Sequence, residues 1–159
     1  MAHSESVERA IHQRMTDLGL TLATAESCTG GLIAHRITNV PGASDFFLGG
    51  VVAYSNEAKV RLLGVDAETI AAHGAVSEVV ARQMAEGARA RFGADVGIGV
   101  TGIAGPGGGT PEKPVGLVFI CLAGKGKTIV ARNEFSGSRE EIKRRSAEKG
   151  LGMVRESLS

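Results

Sequence analysis

The sequence predicts an α/β fold, a three-layer α/β/α sandwich built on a mixed, mostly parallel sheet of about five strands. Two observations predict it. Stretches with apolar residues at helical spacing alternate with short, continuous apolar runs for two thirds of the chain. Two strand-like segments joined by a glycine-lysine turn, then a long amphipathic stretch, finish it, which mixes strand directions in the sheet. No repeat or linker interrupts the 159 residues, so residues 1–159 are expected to form a single domain.

The first helix is expected from about Ser6 to Leu18, with Val7, Ala10, Ile11, Met15 and Leu18 on one stripe and Gly19 as its stop. Leu20 to Ala25 follows as a strand. A helix from about Ser27 to Thr38 presents Leu32, Ile33 and Ile37 to the core, and Pro41-Gly42 closes that unit. Phe46 to Ser55 is a near-continuous apolar run, the pattern of a strand buried on both faces. Asn56 is placed to cap a short helix to Leu63, Asp66 another ending near His73, and Ser77 a long one ending at Gly93. Asp95 to Thr101 reads as a strand, and Gly102 to Pro114 as a loop. Val115–Ala123 and Thr128–Phe135 read as a hairpin. Ser138 caps a final helix carrying Ile142, Ala147, Leu151, Val154 and Leu158 inward.

Composition narrows the function classes. Apolar residues make up 43%, charged residues 22%, and the net charge is +1, so no overall field favours nucleic acid or an anionic membrane. The first residues alternate charge with small side chains, unlike a signal peptide, and no apolar run is long enough to span a bilayer. With only two cysteines, Cys28 and Cys121, no disulfide framework is expected. A cytoplasmic protein acting on a small molecule, without nucleic-acid or membrane partners, is the expectation. An open sheet edge leaves room for homo-oligomers.

In open α/β sheets ligands bind beyond the carboxyl ends of the strands. Three polar clusters fall there: Glu26-Ser27-Cys28-Thr29-Gly30-Gly31, Tyr54-Ser55-Asn56 with Lys59, and Thr101 with the Gly102–Gly109 loop. A serine between strand and helix presents its hydroxyl at the sheet edge, and unpaired N–H groups of the first helical turn can hold an oxyanion. The same serine can equally be a plain N-cap, with the glycines serving packing. None of the four histidines sits at a strand end, so Lys59 is the better base, provided burial lowers its pKa; Tyr54 would orient it or relay the proton. A solvated lysine and a half-buried tyrosine are the alternative. Cys28 competes as nucleophile, although a helix starting at Ser27 turns it about 100° away, toward the core.

The glycine-rich Gly102–Thr110 loop lacks the Gly-Lys-Ser/Thr ending of a phosphate-binding P-loop, and Gly126-Lys127-Thr128 lacks the preceding glycine and following helix. Gly97-x-Gly99 precedes no helix and makes no dinucleotide fingerprint. No cysteine, histidine and carboxylate cluster has metal-ligand spacing. Arg139, Lys143, Arg144 and Arg145 form a local basic group, read as a solvated face or as an anion or subunit contact.

These pieces together resemble the CinA C-terminal domain family of competence/damage-inducible proteins, whose members include nicotinamide mononucleotide amidohydrolases. The resemblance rests on Ala25-Glu26-Ser27-Cys28-Thr29-Gly30-Gly31, on Gly50-Val51-Val52-Ala53-Tyr54-Ser55-Asn56 with Lys59, on Gly74-Ala75-Val76-Ser77, and on Gly99-Val100-Thr101-Gly102-Ile103-Ala104-Gly105-Pro106-Gly107-Gly108, in family order. It implies a CinA-like fold and deamidation of nicotinamide mononucleotide through Ser27, Lys59 and Tyr54, without metal or cofactor. It further implies substrate contacts from Glu26, Cys28, Thr29, Gly30, Thr101, Gly102 and Gly105. The segment Phe135-Ser136-Gly137-Ser138-Arg139 is similar to the family's Phe-x-Gly-x-Arg, which makes Arg139 the expected phosphate contact. The alternative the family allows is a non-catalytic nucleotide-binding or competence-related module.

Overall fold

The protein is described by a computed structural model covering residues 5–159; His3 lies outside the described residues. Helix α1 (Val7–Leu18) starts where the Ser6 hydroxyl accepts from the Arg9 N–H, and it stops where Gly19 adopts a left-handed backbone. Strand β1 (Leu22–Glu26) is buried along its whole length. Helix α2 spans Leu32–Thr38, and a single 3₁₀ turn at Ala43–Asp45 leads into β2 (Phe47–Val52). Helices α3 (Asn56–Leu63), α4 (Ala67–His73) and α5 (Glu78–Phe92) follow, then β3 (Val96–Gly102). Strands β4 (Leu117–Gly124) and β5 (Lys127–Glu134) make the hairpin, and α6 (Arg139–Ser157) closes the chain behind a capping box formed by Ser138 and Glu141.

The five-stranded sheet has the order β2-β1-β3-β4-β5. Strands β2, β1 and β3 run parallel, and β4 and β5 antiparallel to their neighbours. Helices α1, α2 and α6 cover one face around Ile11, Ile33, Ile98, Ile120 and Leu151. Helices α3, α4 and α5 cover the other, around Leu63, Val80, Met84 and Ala88. The expected three-layer α/β fold is the fold observed.

Two glycines set how close α5 lies to the sheet. A Cβ on Gly99 would stand 2.5 Å from the Ala81 carbonyl oxygen and 2.6 Å from the Ala85 nitrogen, so the α5 backbone rests directly on β3. Gly97 meets the Ala85 carbonyl in the same way. The Gly97-x-Gly99 pair is thus a helix-packing device, and Met84 and Ala88 are buried because of it.

Three expectations need correction. The second helix starts at Leu32 rather than Ser27. Strand β2 is an edge strand ending at Val52, with alternate residues exposed, where the apolar run predicts burial on both faces. The cap of α3 is Ser55, whose hydroxyl accepts from the Ala58 N–H, and Asn56 is already helical. A continuous apolar run tells how apolar a strand is, not where it stands in the sheet.

Strand β1 leads to α2 on one face, while its neighbour β2 leads to α3 on the other. A crevice therefore opens at their carboxyl ends, where Glu26 pairs with both Val52 and Val100.

Candidate active site

Ser27 is the first residue beyond β1, and its position is pinned by its neighbours. Its N–H donates to the Val100 carbonyl, and the Ala53 N–H donates to the Glu26 carbonyl, so both flanking strands hold the point where β1 ends. The chain then turns, with the Gly30 N–H donating to the Ser27 carbonyl. The Ser27 hydroxyl caps no helix. Gly31 occupies the N-cap position of α2, with no side chain to offer.

The missing cap is supplied by Glu26. One of its carboxylate oxygens accepts from the Thr29 hydroxyl at 2.6 Å and the Ile33 N–H at 2.8 Å, and the other accepts from the Ala34 N–H at 3.0 Å. This buried carboxylate satisfies the orphan donors of α2 and complements its dipole. Glu26 and Thr29, both expected among the substrate contacts, are joined to each other and to the helix.

Lys59 comes from the first turn of α3 and is 1% exposed. Its Nζ donates to Ser27 Oγ at 3.0 Å and to the Tyr54 carbonyl at 3.1 Å. Among the described residues it forms no ion pair. Burial disfavours the charged ammonium and lowers its pKa below the ordinary value, with Cys28 opposing weakly. A buried lysine with no carboxylate partner loses its proton more readily than a solvated one. When neutral, the amine can accept the serine hydroxyl proton along the line on which the ammonium donates. The pair has the geometry of a nucleophile and its base.

Tyr54 contributes to Lys59 through its main chain, not its phenol. The side chain is 61% exposed, and its hydroxyl accepts from Arg139 at 2.9 Å. Arg139, at the start of α6, also donates to the Gly105 carbonyl at 2.7 Å. It thereby ties the segment after β2 to the glycine-rich loop. The proton relay expected of Tyr54 has no such contact here. Thr101 is buried and donates its hydroxyl to the Ala75 carbonyl at 2.9 Å. A cleft of about 200 Å³ lies among Ser27, Lys59, Tyr54, Thr101, Gly102 and Arg139. Asn56, already placed in the second strand-end cluster, also lines it, as do Ala75, Val76 and Ala104, which were not among the expected residues. The only sequence signal of these three is membership of the quoted motifs.

Cys28 lines the same cleft yet is buried in the core cluster, and burial pushes its thiol up to about 12. Cys121 is likewise buried, with its thiol at about 12. Neither supplies thiolate at neutral pH. A thiol-alkylating reagent is expected to leave the folded protein unlabelled and to add to two cysteines after denaturation, read by intact-protein mass spectrometry. Labelling of Cys28 in the folded state would restore it as a nucleophile. Among the described residues no three histidine, cysteine or carboxylate side chains converge as metal ligands.

A sequence model of the CinA C-terminal domain matches residues 4–158. The chain belongs to the CinA C-terminal domain family. A CinA-like protein of Gemmatimonas aurantiaca is 56% identical over 140 residues, covering 88% of this chain and 33% of its own length. One of Kosmotoga olearia is 51% identical over 154 residues, covering 97% and 37% respectively. The chain thus spans about a third of the length of the curated relatives it matches. Among solved structures, the competence/damage inducible protein CihA of Agrobacterium tumefaciens superposes with a TM-score of 0.93 at 41% identity, covering 99% of both chains. No helix among the described residues is long and apolar enough to cross a membrane.

Within this CinA C-terminal fold, the residues of the quoted motifs and of the Phe135–Arg139 segment take up different positions. Ser27, Lys59, Thr101, Gly102 and Arg139 meet at the cleft. Glu26, Thr29 and Gly105 stand behind it and engage α2 or Arg139. Gly30, with a left-handed backbone, lies beside the ammonium group of Lys143.

Proposed function

We propose that this chain is a metal-independent serine amidohydrolase that deamidates nicotinamide mononucleotide to nicotinic acid mononucleotide and ammonia. The observation that carries the reading is the 3.0 Å contact between Ser27 Oγ and a buried Lys59 Nζ lacking any carboxylate partner. The substrate is drawn from the resemblance to the family's amidohydrolases.

In the proposed reaction Ser27 Oγ attacks the carboxamide carbon while Lys59 takes the hydroxyl proton. The Cys28 N–H, the first beyond Ser27, would hold the oxyanion. Lys59 passes its proton to the amide nitrogen, the C–N bond breaks, and ammonia leaves. Water then attacks the Ser27 ester, again giving its proton to Lys59, and Ser27 regains its hydroxyl as the acid is released. Arg139 at the cleft mouth would meet the 5′-phosphate, exchanging the Tyr54 hydroxyl for a charged acceptor.

The test is ammonia release from nicotinamide mononucleotide by the purified chain, with Ser27→Ala as control. Release by the wild type and none by the variant is the expected result. Thermal stabilisation by the nucleotide with no ammonia from either protein would make the chain a binding module instead.

A further inference from the structure

A second cation stands against the turn that presents Ser27. Lys143 lies one helical turn beyond Arg139 on α6, and its Nζ comes within 3.6 Å of the position a Cβ on Gly30 would take. Residues four apart share a helix face and stand about 6 Å apart along the axis. Among the described residues neither Arg139 nor Lys143 has a carboxylate within ion-pair distance, whereas Arg36, Arg61, Arg82, Arg132 and Arg145 are each paired with a glutamate. Of the nearby acids, Glu26 is engaged with α2 and Glu141 with Ser138 and Arg145, and Glu140 forms no ion pair with either cation. The positive end of α2 is already matched by Glu26, so it offers nothing to an incoming anion. Two unpaired cations on one face, beside a cleft of about 200 Å³, suit a doubly charged group emerging from that cleft.

We propose that Lys143 acts with Arg139 to read a terminal phosphomonoester, making Lys143 a specificity-determining residue that confines the site to mononucleotides. This rests on the amidohydrolase reading. A monoester dianion engages both cations, a riboside engages neither, and the diphosphate linkage of a dinucleotide offers one charge per phosphorus and added bulk.

The test compares nicotinamide mononucleotide with nicotinamide riboside for the wild type, Lys143→Ala and Lys143→Arg. Lys143→Ala is expected to raise KM for the mononucleotide about tenfold, leaving kcat and all turnover of the riboside unchanged; Lys143→Arg restores most of the loss. An equal loss on both substrates, or no loss on the mononucleotide, overturns the proposal. A second arm uses ribose 5-phosphate as probe and the thermal midpoint as readout, and needs no catalysis. Stabilisation of the wild type but not of Lys143→Ala supports the phosphate site, and equal shifts overturn it. If the wild type releases ammonia from neither substrate, the amidohydrolase reading falls and this second arm alone decides on Lys143.

Discussion

Replacing Lys59 with methionine is expected to lower turnover by about 10³-fold or more, while the fold survives. Methionine matches the lysine stem in length and fills the same buried space, so the core around α3 keeps its volume. What disappears is the side chain that hydrogen-bonds Ser27 Oγ among the described residues. Lys59→Arg is expected to fail as well, because guanidinium stays protonated at any pH the protein tolerates. For the wild type, the active species holds a neutral Lys59, so kcat/KM should climb with pH through the lowered lysine pKa and then level off. The same group ties stability to pH. Between the lowered pKa and the ordinary value of 10.5, the unfolded chain binds a proton that the folded chain does not. Stability therefore rises with pH across that window, and falls off as pH drops through the folded pKa. Thermal melts of Lys59→Met should lose this contribution. A kcat/KM profile flat through that window, or a methionine variant that keeps turnover, removes Lys59 as base.

Gly99→Ala is expected to cost about 3 kcal/mol or more, the upper end of overpacking penalties. The added methyl carbon would stand 2.5 Å from one α5 backbone atom and 2.6 Å from another, and neither can swing aside as a flexible side chain would. Helix α5 must lift from β3, uncovering Val80, Met84 and Ala88. Gly152→Ala provides the contrast. It sits inside α6 with nothing within 4 Å of its added Cβ, so it should stabilise by about 1 kcal/mol through helix propensity alone. Denaturant melts of the two variants read both effects with opposite signs.

The different fates of these residues show what was legible in the sequence. Caps at Asp66, Ser77 and Ser138 were readable because a cap is a local device, satisfied within a few residues. The fold class followed from the alternation of periodicities. The start of α2 is hidden from a local reading because its cap comes from Glu26, six residues before the helix begins. That reach depends on a left-handed Gly30-Gly31 turn no propensity describes. The edge position of β2 was hidden for another reason: strand order is decided by long-range pairing, to which Phe47–Val52 bear no local witness. Ser27 and Lys59 could be nominated as partners from their strand ends. The direction of the Tyr54 phenol could not, because it depends on Arg139 folding back from 85 residues away.

The register of β1 between β2 and β3 assigns the two halves of the sheet different duties. The parallel half delivers Ser27 and leads to Lys59, whereas β4 and β5 supply buried surface to the core. Their connecting turn at Lys125-Gly126 lies at the pole away from the cleft, since Gly97 near the start of β3 pairs with Ala123. That turn is the natural graft point for a fluorophore, an affinity tag or an inserted domain, because a foreign segment there hangs from scaffold and leaves the working end unencumbered.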